Sequence, residues 1–204
     1  MTLPYARIYK LYYMTRCVAL LVMINSVVAQ ETPQMNDPSK TTYGEISPDA
    51  PDELRAFSFL IGKWDGKGRT RLEDGSFAEY PVTWIGRYIL DGMAIADEAH
   101  GNGPDGSPYL GISLRQYDPD RKTWIIEFLN VTGSFIRKQV NGSTGVVSVT
   151  GRNVTIASES PGITIREHYL SPDRDNFTYQ LDVSNDGGKN WNEGQIEMDF
   201  RRLE

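Results

Sequence analysis

His100 and His168 are the only imidazoles in the chain and Cys17 is the only thiol. The two histidines fall on different β-prone runs, with no carboxylate or second imidazole at metal-ligand spacing, so the pattern does not read as a zinc site. His100 borders the glycine-rich stretch Gly101–Gly106 and reads as a strand-end residue. His168 has Arg166 two positions earlier on the same strand face, which makes it a candidate for ligand binding or, with Glu98 or Glu127 as its carboxylate, for acid-base work. A hydrogen-bonded wall residue is the plainer reading. Gly101-Asn102-Gly103-Pro104-Asp105-Gly106 matches the three-glycine dinucleotide pattern in form only. That pattern needs a following helix whose N-terminus holds pyrophosphate, and here Pro-Asp-Gly turns into another strand. No Gly-x-Ser-x-Gly elbow and no Gly-Lys-Ser or Gly-Lys-Thr loop occurs.

Arginine at the centre of a strand is the second signal. An inward-facing guanidinium needs a partner, and an acidic ligand can supply one. Arg115 and Arg166 are therefore candidate carboxylate anchors, with Glu127 or Glu98 as competing internal partners. Trp84, Tyr109 and Trp124 complete the candidate lining, although large aromatics at strand positions read equally as core. Alternation does not reveal which strand face is inside, so each charged candidate reads equally as a solvent-facing residue. Asp118, Asp120, Asp173 and Asp175 lie in proline-containing turns, where hydrogen bonds from the carboxylates to nearby backbone account for them without calcium.

The elements that would position these residues are short. Pro51-Asp52-Glu53-Leu54 opens a helix, with Leu54, Phe57 and Leu60 or Ile61 at helical spacing and Gly62 at its end. From Trp64 onward no helical period persists. About ten β-prone runs follow, separated by turn signals such as Asp74-Gly75, Asp91-Gly92, Asp118-Pro119, Asn141-Gly142 and Asp186-Gly187-Gly188, which supply the backbone freedom that hairpins need. Leu110, Ile112 and Leu114 share one face of their run. In the next run Trp124, Ile126 and Phe128 oppose Ile125, Glu127 and Leu129. Consecutive hairpins with no room for helical crossovers predict an all-β, antiparallel up-and-down meander of about 8–10 strands, closed into a barrel to remove its edges.

Before residue 52 the composition changes. Arg7, Lys10 and Arg16 precede the apolar run Val18–Val28, which is too short for a membrane span and ends in Val-Val-Ala, the order of a signal peptide cut after Ala29. Met14 is an alternative start that gives a shorter leader. Residues 30–51 hold four prolines and few apolar side chains and read as a disordered linker; residues 52–204 are the folded domain. Cleavage would remove Cys17 and three of the 21 basic residues, leaving 18 against 27 acidic and a charge of −9 in place of −6. Such a chain is expected to be secreted or periplasmic, without disulfides, thiol catalysis or cysteine-bound metal. Its acidity argues against nucleic acid as a partner, and once the leader is cut no membrane span is expected. The oligomeric state is left open.

Phe59-Leu60-Ile61-Gly62-Lys63-Trp64 resembles the helix-to-first-strand step of the calycin superfamily, which includes lipocalins, fatty-acid-binding proteins and nitrobindin-like barrels. Trp84-Ile85-Gly86-Arg87-Tyr88-Ile89-Leu90-Asp91-Gly92, Tyr109-Leu110-Gly111 with Tyr117-Asp118-Pro119, and Asp186-Gly187-Gly188 with Trp191 and Phe200-Arg201-Arg202 resemble a bacterial family of lipocalin-like domains of unestablished function. The resemblance spans roughly residues 52–204 and implies a barrel with an internal cavity. Nitrobindin-like relatives use a late histidine as an axial haem ligand. His168 is the only late histidine here, so haem through His168 is the one cofactor alternative to none. The expected function is an exported barrel holding a hydrophobic or amphipathic small molecule. The alternatives are an isomerase or hydrolase using His168 with a glutamate, and a cell-envelope interaction domain.

Overall fold

The computed structural model describes residues 42–103, 106–132, 135–138, 146–160 and 162–203. The proposed leader and most of the proposed linker lie outside the described residues. The polypeptide enters through a 3-10 helix, Asp52–Leu60, whose first turn carries Asp52 and Glu53 and whose Leu54, Phe57 and Leu60 are fully buried. Eleven strands follow: β1 (Gly62–Arg71), β2 (Phe77–Ile89), β3 (Ala94–Asn102), β4 (Pro108–Asp118), β5 (Thr123–Thr132), β6 (Phe135–Lys138), β7 (Val146–Thr150), β8 (Asn153–Ser160), β9 (Ile163–Leu170), β10 (Asn176–Ser184) and β11 (Asn192–Arg202).

Every pairing is antiparallel, and the strands lie in the order β6-β5-β4-β3-β2-β1-β11-β10-β9-β8-β7. The result is the expected meander, curled into a nearly closed barrel. Closure differs from a simple end-to-end join. The first and last strands pair with each other, from Trp64 opposite Arg202 to Thr70 opposite Ile196. The free edges are β6 and β7, which are not hydrogen-bonded to one another among the described residues.

The helix plugs one end of the barrel. Phe57 meets Trp124 and Tyr169 edge-on at centroid distances of 5.0 and 5.9 Å, and the Trp64 indole N–H donates to the Leu60 carbonyl at 3.1 Å. Gly86 is required where the plug crosses β2, because a side chain there would strike the Leu60 carbonyl. Arg202 fastens the assembly from the last strand. Its guanidinium donates to the carbonyls of Ile61 (2.6 Å) and Phe59 (3.3 Å) and lies 4.0 Å over the Trp64 ring. Residues 46–50, on the linker side of the boundary expected at residue 51, also pack on the barrel. Ser47 is 2% exposed and its N–H donates to the Gly92 carbonyl at 3.2 Å.

The turns carry the chemistry read from their composition. Asp118 Oδ1 accepts from the backbone N–H groups of Asp120 and Arg121, and Asp173 Oδ1 from those of Asp175 and Asn176. Asp186 accepts the N–H groups of Lys189 and Asn190, bonds that with the Asn190 side chain hold its carboxyl down at about 2. At the β2–β3 hairpin the left-handed backbone extends beyond Asp91 and Gly92 to Leu90, whose φ is 51°.

Candidate functional site

Strand register decides what faces the interior. Trp64, Trp84, Trp124, Ile126, Tyr169, Phe177 and Phe200 belong to one buried cluster, which fixes the inward face of each strand that carries them. Ile95 pairs with Arg115, and Asp97 with Ser113, on the face of β3 and β4 that follows from Trp84 opposite Ala99. Arg115 and Asp97 are each 1% exposed and form an ion pair inside the barrel. The guanidinium also donates from an Nη to the Tyr169 hydroxyl at 2.8 Å and lies 5.3 Å from the Phe57 ring centre.

The network continues along β9 and β10. The hydroxyls of Tyr169 and Tyr179 both donate to Glu167 Oε2 at 3.4 Å. Burial pushes the Glu167 carboxyl above its ordinary range, against the downward pull of the Arg115 charge and the two phenols. The Tyr169 phenol is pushed up strongly by the same burial. Trp84 stands beside both tyrosines, with ring centres 6.3 and 5.8 Å away. Its indole N–H and the Arg115 Nε–H are buried donors that meet no acceptor among the described residues.

This polar set lies at a boundary. Towards the plugged end the inward side chains are buried: Leu60, Trp64, Tyr169 and Phe177 are at most 3% exposed. Towards the opposite end the inward positions Tyr80, Ser113, Phe128, Ile165, Leu181, Val183 and Ile196 keep intermediate exposure. The interior is therefore packed at one end and reachable by solvent at the other.

Of the residues singled out in the sequence, Arg115, Trp84 and Trp124 face the interior. Tyr109 pairs with Gly101 in the β3–β4 register, and its side chain lies outside what the structure describes. Glu98, Glu127, Arg166 and His168 stand on the outer face. Glu98 pairs there with Arg87 at 2.8 Å and His100 at 3.5 Å, and Glu127 lies opposite Leu114. The internal partner of Arg115 is thus Asp97, in place of Glu98 or Glu127. Asp97, Glu167 and Tyr169 were not among the residues singled out. The signal for them was parity: Glu167 and Tyr169 alternate in phase with Ile163 and Ile165, and Asp97 with Ile95 and Ala99.

The outer residues form a cluster of their own. His168 Nε2 lies 2.9 Å from Asp182 Oδ2 and its Nδ1 lies 3.2 Å from the Thr155 hydroxyl. Asp182, 4% exposed, also accepts from the Gln180 amide (2.7 Å) and the Gly194 N–H (2.9 Å). Burial acts upward on its carboxyl, but these hydrogen bonds and His168 hold it below the ordinary value. Arg166 lies 3.6 Å over the Trp191 ring. With both ring nitrogens engaged outside the wall, His168 does not fit the role of an axial ligand to a haem inside the barrel. Neither Glu98 nor Glu127 reaches it as a catalytic partner. No group of three His, Cys, Asp or Glu side chains among the described residues is placed to hold a metal ion. No helix among them is long and apolar enough to cross a membrane.

A family model described as "Protein of unknown function (DUF1579)" matches residues 51–202. No curated protein matches the chain. Among solved structures, the S-type phycobiliprotein lyase CPES from Guillardia theta superposes with a TM-score of 0.52 at 10% identity, covering 74% of this chain and 92% of that one. Rv2717c from M. tuberculosis gives a TM-score of 0.49 at 17% identity, covering 76% of this chain and 100% of that one. At these identities the likeness to the lyase concerns the fold alone.

Proposed function

The chain belongs to the family described as Protein of unknown function (DUF1579), and we propose that it is an exported binding protein whose barrel holds one hydrophobic or amphipathic small molecule. The observation that carries this reading is the asymmetry of the interior. A barrel built only for stability gains by filling its core throughout, whereas here Ser113, Phe128, Ile165, Leu181, Val183 and Ile196 line the half away from the plug and stay reachable. Apolar side chains beside a few convergent polar groups are the usual make-up of a small-molecule pocket. A fold of this kind also serves a phycobiliprotein lyase, so chemistry on a bound molecule is the alternative use of the same interior.

Export rests on the basic residues and apolar run ahead of Ala29, and sequencing the N-terminus of protein recovered from its own host's envelope tests it. The expected first residue is Gln30. Native mass spectrometry of the same preparation tests the binding. A single small molecule bound one to one, released by mild unfolding, is the expected result. Protein that carries no such mass and takes up no apolar dye would overturn the reading.

A further inference from the structure

The interior polar set also specifies the kind of head group the ligand carries, an inference that rests on the binding reading above. We propose that the occupant presents a neutral hydrogen-bond acceptor, a hydroxyl or carbonyl oxygen on an apolar body, and that a carboxylate is disfavoured.

The argument begins with charge. Arg115 looks like an anion anchor in the sequence, but its positive charge is already met by Asp97 inside the wall. Among the described residues facing Glu167, Arg115 is the only cation; Tyr169 and Tyr179 are neutral, and the positions opposite it on β8 and β10 are Ile156 and Leu181. The floor of the reachable interior therefore balances to zero with Glu167 protonated and to −1 with it ionised. An incoming carboxylate would add a negative charge where none is compensated, and burying an unpaired charge costs more than burying a polar group that finds a hydrogen bond.

Hydrogen bonding points the same way. Among the described residues the Trp84 Nε1–H and Arg115 Nε–H are buried without acceptors, and a buried donor stays costly until an acceptor meets it. Trp84 packs on Tyr169 and Tyr179, and Tyr169 bonds both Arg115 and Glu167. The donors and the carboxyl thus belong to one connected group. An oxygen with lone pairs and no formal charge satisfies a donor there without disturbing the balance.

The test is displacement of Nile red, a neutral apolar dye, from the mature protein by dodecan-1-ol and by dodecanoate. At pH 8 the alcohol is expected to compete at a concentration about tenfold or more below that of the carboxylate, a difference of about 1.4 kcal/mol. The gap should narrow as acidification protonates the fatty acid. Trp84→Phe should weaken the alcohol several-fold while dye affinity and the circular-dichroism spectrum hold. Tighter binding of dodecanoate at pH 8 overturns the proposal. Equal competition by both compounds, unmoved by Trp84→Phe, also overturns it while leaving the binding reading intact. Failure of the wild-type protein to bind Nile red or either compound refutes the binding reading itself.

Discussion

The two faces of β9 carry two separate polar groups, one on each side of a single layer of backbone. Inside, Glu167 and Tyr169 join Arg115 and Asp97. Outside, Arg166 and His168 join Trp191, Asp182 and Thr155. The residue types are similar, yet their energetics differ because the inner ion pair is cut off from water, whereas the outer imidazole keeps contact with it. The inner arginine and aspartate are almost fully buried, so each needs the other. The outer imidazole can trade either partner for solvent. Charge in a barrel wall thus takes its meaning from parity along the strand.

The largest break in this comparison is expected from Asp97→Ala. It leaves the Arg115 guanidinium buried and uncompensated, and loss of about 3–5 kcal/mol is expected in urea unfolding. Replacing Asp97 and Arg115 together by leucines should cost much less, since it removes both charges; a double variant as unstable as the single would contradict the account. On the outer face Asp182→Ala strips the acceptor from Gln180, the Gly194 N–H and His168, and about 1–3 kcal/mol is expected. His168→Ala should cost about 1 kcal/mol, because the Gln180 amide and the Gly194 N–H still hold the Asp182 carboxylate.

Acid and base should separate the two faces by sign. The Glu167 carboxyl titrates higher in the folded chain than its ordinary 4.5, so the folded state holds a proton that the unfolded state has released. The stability this provides is complete below about pH 4.5 and is lost as pH rises through the folded value. Asp182 behaves oppositely. Its folded pKa is depressed, so its contribution is present above the unfolded value and fades as pH falls through the folded one. Urea midpoints measured from pH 3 to pH 9 should therefore lose part of the decline that sets in above about pH 4.5 in Glu167→Gln and part of the loss on acidification in Asp182→Asn. Identical profiles for the two variants would remove the distinction. A gain in stability is expected at a site on neither face. Leu90, 63% exposed with a left-handed backbone, should tolerate Leu90→Gly with a gain of about 1 kcal/mol, read as a higher melting temperature.

Much of this architecture is written in the local sequence. The Asp-Gly and Asp-Pro turns, the helical spacing of Leu54, Phe57 and Leu60, and the alternation along β4 and β5 are properties of neighbouring residues. A local reading finds them. The inner site is not local. Asp97 and Arg115 meet because the β3–β4 register sets them diagonally on one face, Asp97 opposite Ser113 and Arg115 opposite Ile95, and Tyr169 reaches Arg115 from 54 positions away across the barrel. Arg115 and Arg166 look alike in their own strands, each following an apolar residue, Leu114 or Ile165, and preceding a polar one, Gln116 or Glu167. Only the closed sheet, with Trp84 and Tyr169 fixing its inside, sends one inward and the other outward. The fold was legible from spacing, whereas the site needed the curvature that spacing does not encode.

The pairing of β1 with β11 has a temporal side. The covalent ends of the domain lie in the middle of the sheet order, and the sheet's free edges, β6 and β7, lie in the middle of the chain. A ribosome extending the polypeptide can therefore complete two separate ribbons, β1 to β6 and then β7 to β10, but the seam that unites them waits for residues 192–202. Arg202, which latches the plug over Trp64, is among the last to arrive. Contacts so distant in sequence form slowly, so the barrel acquires its inside only after its whole length exists.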